Sequence, residues 1–151
     1  MKLTELMNKD LVDVDLKGST KNEVIDHMIE KLEQSDALKS KRKFKKAIEK
    51  REKEGSTGIG FKVAIPHGKS NAVTSPRVAF GLSRTGVDWN SVDGENAQLV
   101  FMIAVPEESA GNEHLKILQM LSIKLMDEAF RNELLNVQSV DEAYQLLEQI
   151  G

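Results

Sequence analysis

Leu99-Val100-Phe101-Met102-Ile103-Ala104-Val105 is an unbroken apolar run closed by Pro106. A strand with no polar alternation is buried on both faces, so this run predicts the central strand of a sheet. Pro106 cannot donate to a ladder and ends it. Segments of helical and strand character lie on either side of it. Over 151 residues that mixture indicates one layered α/β domain spanning residues 1–151.

Working outward, Val78 to Leu82 reads as a neighbouring strand, with Val87 and Trp89 as a possible short one. Leu11, Val12, Val14 and Leu16 alternate with Asp13, Asp15 and Lys17, the pattern of a half-buried strand ending at Gly18. Thr20 and Glu23 form a capping box, and the helix behind them collects Val24, Ile25, Met28, Ile29 and Leu32 on one face. A second helix runs from about Ser40 to Glu54, stopped by Gly55, with only Phe44, Ala47 and Ile48 to bury. Beyond the central strand come a polar loop, Glu107 to Asn112, and an apolar-rich helix from about Glu113 to Met126. Asp127 and Ser139 read as N-caps of two last helices, Ser139 with Glu142 as another capping box.

Composition narrows the chemistry. There is no cysteine, which removes disulfides, thiolate metal sites and cysteine nucleophiles. A formal net charge of -3 argues against general nucleic-acid binding. No apolar run approaches the roughly 20 residues of a membrane helix, and Met1-Lys2-Leu3-Thr4-Glu5 lacks the layout of a signal peptide. A cytoplasmic protein is expected. The run Lys39 to Lys53 carries nine basic residues against Glu49 and Glu52, a local charge of +7. With Phe44 as its one aromatic, it reads as a solvated helix face more readily than as a nucleic-acid or membrane surface.

The chemistry-bearing stretch is Ser56-Thr57-Gly58-Ile59-Gly60-Phe61-Lys62-Val63-Ala64-Ile65-Pro66-His67-Gly68. Val63-Ala64-Ile65 reads as a buried strand that Pro66 must end. His67 is then expected on a loop at the strand end, with Gly68 allowing unusual backbone angles beyond it. On residues alone such a histidine could equally close a strand end. Neutral imidazole is, however, a competent nucleophile near pH 7, because its ordinary pKa is about 6.5. Two nucleotide motifs fail nearby. Gly55 and Gly60 have P-loop spacing, but Phe61 and Lys62 stand where Lys and Ser/Thr are needed. Gly58-x-Gly60 meets Val63 where a dinucleotide fingerprint has its third glycine.

This stretch, with the basic helix before it and Asn112-Glu113-His114-Leu115 after the central strand, resembles the mannitol/fructose class of enzyme IIA of the bacterial phosphoenolpyruvate-dependent sugar phosphotransferase system, its fructose branch more than its mannitol branch. The resemblance implies a mixed parallel/antiparallel sheet with helices on both faces. It implies that His67 carries a phosphoryl group on Nε2, received from the histidine-containing phosphocarrier protein and passed to a cysteine of a IIB domain. The other ring nitrogen should donate to a backbone carbonyl, which sets the tautomer. No metal or organic cofactor is implied. A nitrogen-regulatory relative of the same fold, acting by phosphorylation-dependent protein binding, is the competing reading.

The same resemblance assigns three further residues. Arg51, at the end of the basic helix, would offer a planar fork of donors to phosphate oxygens. Without the motif it would be one more solvated charge. His114 would donate to the phosphoryl group from a helix start, although alone it reads as well as a capping or surface residue. Thr57 could donate its hydroxyl, or be a plain turn residue. His27 falls off the apolar face of its helix and reads as solvated. Three histidines without short ligand spacing make a zinc site improbable. An exposed apolar rim is expected around His67, for transient protein partners.

Overall fold

The computed structural model describes residues 1–108 and 113–151. A six-stranded sheet organises them: β1 Val12–Asp13, β2 Gly58–Gly60, β3 Val63–Ala64, β4 His67–Ser70, β5 Arg77–Val87 and β6 Ala97–Pro106. The order is β1-β5-β6-β3-β2, with β4 also paired to β6. The sheet is mixed. β5 is antiparallel to β6 and β2 to β3, whereas β1 runs parallel to β5, and β3 and β4 run parallel to β6. Every residue of β6 from Leu99 to Val105 is buried. Since successive side chains point to opposite faces, both faces of the sheet are covered, and the apolar run is its centre.

The helices are α1 Lys21–Gln34, α2 Lys41–Lys53, α3 Glu113–Leu125, α4 Glu128–Leu135 and α5 Val140–Leu147. Thr20 caps α1 in a full capping box with Glu23, and its Val24, Ile25, Met28, Ile29 and Leu32 are buried. A methyl group at Gly81 would come within 2.6 Å of Leu16 and 3.2 Å of the Met28 sulfur, so α1 lies close on β5. Ser40 caps α2. Asp127 caps α4 and Ser139 caps α5. The reciprocal half of the last expected capping box is missing: the Glu142 carboxylate meets the Ser139 hydroxyl, not its backbone N–H. No helix of the described residues is long and apolar enough to cross a membrane.

Several elements differ from expectation. The first strand shortens to two residues, because Leu11 closes a 3-10 turn and the Asp15 N–H turns back to the Asp13 carboxylate. Val87 belongs to one long β5, which absorbs a register shift between Leu82 and Val87. Trp89 lies beyond it, fully buried. The glycine segment itself forms β2. Of the polar loop, Glu107 and Glu108 are exposed, and residues 109–112 lie outside the described residues.

The correction that matters most concerns His67. It does not sit on a loop but opens β4, pairing with Ile103 of β6. β3 pairs with Leu99 and Val100 further back along the same edge. β3 and β4 are thus two halves of one strand, interrupted at Ile65-Pro66. Pro66 lacks an N–H for the ladder, yet its carbonyl still accepts from the Ile103 N–H at 2.9 Å, which keeps the halves in line. Gly68 has no unusual backbone angle. A methyl group there would lie 3.2 Å from Ala47 and Phe44 and 3.3 Å from Ile48. Glycine is needed because the thin apolar stripe of α2 lies directly on β4.

Candidate functional site

That close approach builds the site. With Phe44 and Ile48 seated over β4, the last turn of α2 ends beside His67. Lys50, Arg51 and Lys53 crowd this turn, as suits the negative end of a helix dipole. From another side the first turn of α3 brings His114, its N-terminus adding partial positive charge. Between them opens a cavity of about 500 Å³. Ala47, Lys50, Arg51 and Glu54 line it from α2, His67, Gly68 and Lys69 from β4, and His114, Leu115 and Leu118 from α3.

His67 is half-buried, and its Nδ1 lies 2.9 Å from the Ile65 carbonyl oxygen. A carbonyl only accepts, so Nδ1 carries the proton and donates. Nε2 is left with its lone pair. Burial pushes the imidazole below its ordinary 6.5, because the charged form loses solvation. The Arg51 charge and His114 push the same way, while the hydrogen bond to Ile65 and the Glu52 carboxylate oppose them. The ring is therefore neutral near pH 7, in a single tautomer, with the nucleophilic nitrogen unprotonated.

Arg51 holds one end of its fork on the Gly55 carbonyl, Nη1 to oxygen 2.8 Å. The rings of His67 and His114 stack at 24°, with centroids 6.4 Å apart. His114 Nδ1 is buried with no hydrogen-bond partner among the described residues. Leu115 is half exposed at the cavity mouth, an apolar element of the expected rim.

Thr57 is where the structure departs from the expected set. It is buried and lies behind the cavity, not in its lining. Its hydroxyl donates to the Glu52 carboxylate and accepts from Trp89 Nε1 at 3.0 Å. A hydroxyl has one proton, and here it is committed to Glu52. His27 is exposed on α1, as expected.

Lys50, Glu54 and Lys69 were not singled out from the sequence. Lys69 follows His67 by two, so strand alternation puts both on one face once β4 is known to be a strand. Glu54 follows Arg51 by three, a helical neighbour. Lys50 was buried in a basic run that offered no means of ranking its members.

Comparison with known proteins gives a consistent result. Residues 5–150 match the family model described as phosphoenolpyruvate-dependent sugar phosphotransferase system, EIIA 2. The chain is 43% identical over 149 residues to the PTS system fructose-specific EIIABC component of Bacillus subtilis, covering 99% of this chain but 23% of that protein. Among solved structures it superposes on the nitrogen regulatory protein IIA-Ntr from Neisseria meningitidis with a TM-score of 0.87, at 32% identity, covering 95% of this chain and 97% of that one. It also matches a chain in the complex of enzyme IIAMTL and phosphorylated enzyme IIBMTL from Escherichia coli, with a TM-score of 0.81 at 28% identity over 93% of this chain and 96% of that one.

Proposed function

The chain belongs to the EIIA 2 family of the phosphoenolpyruvate-dependent sugar phosphotransferase system, and on that premise we propose that it is a phosphocarrier whose phosphorylated atom is His67 Nε2. The observation that carries this reading is the 2.9 Å bond from His67 Nδ1 to the Ile65 carbonyl, which leaves Nε2 as the free nitrogen facing a cavity rich in cations.

The donor is the histidine-containing phosphocarrier protein. His67 Nε2 attacks its phosphorus in line, the N–P bond to the donor imidazole breaks, and a new N–P bond forms on His67. In the second step a cysteine thiolate of a IIB domain attacks the same phosphorus. The S–P bond forms, and the electron pair of the breaking N–P bond returns to Nε2. Such transfers demand positioning and charge stabilisation more than covalent work by the protein. Arg51 supplies the planar fork for the equatorial oxygens, and His114 donates from the far side. Similarity to a fructose-specific protein supports fructose as the sugar served. The complex of enzyme IIAMTL with phosphorylated enzyme IIBMTL supports the IIB acceptor.

A second reading has an observation in its favour: the close superposition on IIA-Ntr. In it the same phosphohistidine would control binding to a regulatory partner. Incubation with phosphoenolpyruvate, enzyme I and the phosphocarrier protein tests both. Mass spectrometry should find one acid-labile phosphoryl group, on His67. Adding a fructose-type IIB domain should discharge it. Labelling without discharge by any sugar-type IIB favours the regulatory reading, and no labelling overturns both.

A further inference from the structure

Behind the cavity lies a buried polar cluster that the transfer steps do not use. The Glu52 side chain is only 10% exposed. One oxygen takes the Lys21 ammonium at 2.6 Å and the Thr57 N–H at 3.3 Å, and the other takes the Thr57 hydroxyl. Trp89 Nε1 donates to that same hydroxyl at 3.0 Å, and the Lys21 ammonium stands 5.4 Å from the centre of the Trp89 ring. The cluster joins four segments: the first residue of α1, the last turn of α2, the strand entry at Thr57, and the chain just after β5. A buried ion pair is a weak source of stability, since desolvation offsets most of its attraction. Its stronger effect is to hold chain segments in one arrangement.

We propose that Glu52 is a positioning residue for phosphoryl transfer, anchoring the end of α2 so that Arg51 faces His67; this rests on the phosphocarrier reading above. Arg51 and Glu52 are adjacent on α2, so their side chains diverge by about 100° around its axis. Pinning Glu52 inward to Lys21, Thr57 and Trp89 fixes that rotation, and Arg51 is left pointing over the cavity. Arg51 then needs only its bond to Gly55 to set its fork. Small misplacements of such groups carry large kinetic penalties.

The cluster also reaches His67 electrostatically. The charged and titratable groups around His67 are Arg51, Lys50 and Glu54 from α2, Lys69 from β4 and His114 from α3, with the Glu52 carboxylate behind the cavity still within electrostatic reach. The Glu52 charge favours the protonated imidazole, against Arg51 and His114.

A double-mutant cycle tests the inference. Glu52→Gln should slow single-turnover phosphorylation of His67 on the order of tenfold in the wild-type background. In an Arg51→Ala background it should cost less than about twofold, because the group it positions is gone. The His67 pKa, read from ring-proton NMR shifts, should fall on Glu52→Gln in the Arg51→Ala background, where only the carboxylate is lost, and fall less or rise in the wild-type background, where a displaced Arg51 no longer lowers it. Equal rate losses in both backgrounds, or equal pKa changes in both, overturn the proposal. Should Glu52→Gln not fold cooperatively, Lys21→Met strips the anchor from outside the cavity, and the same coupling to Arg51 is required of it. If wild-type protein takes no phosphoryl group, the phosphocarrier reading is what fails. If wild type is labelled and the coupling is absent, only the role of Glu52 fails.

Discussion

Two histidines face each other across the cavity, and their surroundings hold them differently. His67 is fixed by its own chain. The acceptor that sets its tautomer is two residues away, the Ile65 carbonyl, and the strand containing both is locked to β6 on either side of Pro66. His114 stands on the first turn of a helix, and none of the described residues bonds its buried Nδ1. The covalent step needs one nitrogen in one protonation state at one place, which a strand interrupted by proline can guarantee. A donor to phosphoryl oxygens needs only to be near and to carry an N–H. On the phosphocarrier reading proposed above, the contrast is a division of labour: identity of the nucleophile on the His67 side, adjustable charge stabilisation on the other.

The largest effect should come from breaking the fixed side. His67→Ala should abolish acid-labile phosphorylation, measured by mass spectrometry, while keeping cooperative unfolding, since β6 retains its other partners. Labelling of this variant at the wild-type level would sink the assignment. Next comes Arg51. Arg51→Lys keeps a charge but loses the fork, and should slow single-turnover transfer by about 10- to 100-fold. Its melting temperature should barely change, because the residue is partly exposed and its one side-chain hydrogen bond among the described residues is to the Gly55 carbonyl. A Lys variant at the wild-type rate in both transfer directions would remove Arg51 from the phosphate shell.

What could be read from the sequence divides along physical lines. The central strand was legible because burial on both faces leaves a continuous apolar signature at Leu99 to Val105. The caps at Thr20, Asp127 and Ser139 were legible because a cap is decided within three residues. His67 and Arg51 could be named because their motif is local. The strand character of His67 was not legible. Pro66 looks like a terminus, and only pairing with distant Ile103 shows the strand resuming. The reason for Gly68 was equally hidden, since it lies in the side chains of α2. Thr57 looked like a ligand for phosphate because its true partners, Glu52 and Trp89, meet only in the folded chain.

The adjustable side should give a smaller effect. His114→Ala should still be phosphorylated at His67 but pass the group on about tenfold more slowly, milder than the loss of a fully enclosed oxyanion donor. His114→Gln keeps an N–H donor and should recover part of that loss. Single-turnover kinetics of accepting and donating would decide. If both variants match wild type in both directions, the two sides of the cavity do not share the work, and His114 is a helix-start residue.

The smallest effect expected is on stability, and it comes from the fixed side again. Burial lowers the His67 pKa below the value of about 6.5 that it takes in the unfolded chain. Between those two values the unfolded chain binds more protons than the folded one, so stability must rise with pH across that window. The contribution is fully present above about pH 6.5 and is lost as pH falls toward the folded value, below which it no longer changes. His67→Gln removes the titrating group and should flatten this part of the profile. His27 and His114 remain in both proteins, so the difference between the two profiles isolates His67. Urea unfolding from about pH 5 to about pH 7.5 spans the ordinary histidine range. A wild-type advantage that grows with pH over this interval fits a ring held neutral by burial. A difference that is flat, or that shrinks as pH rises, would mean that the ring is at least as basic folded as unfolded, and the fixed side of the cavity would lose the feature that makes Nε2 available near neutral pH.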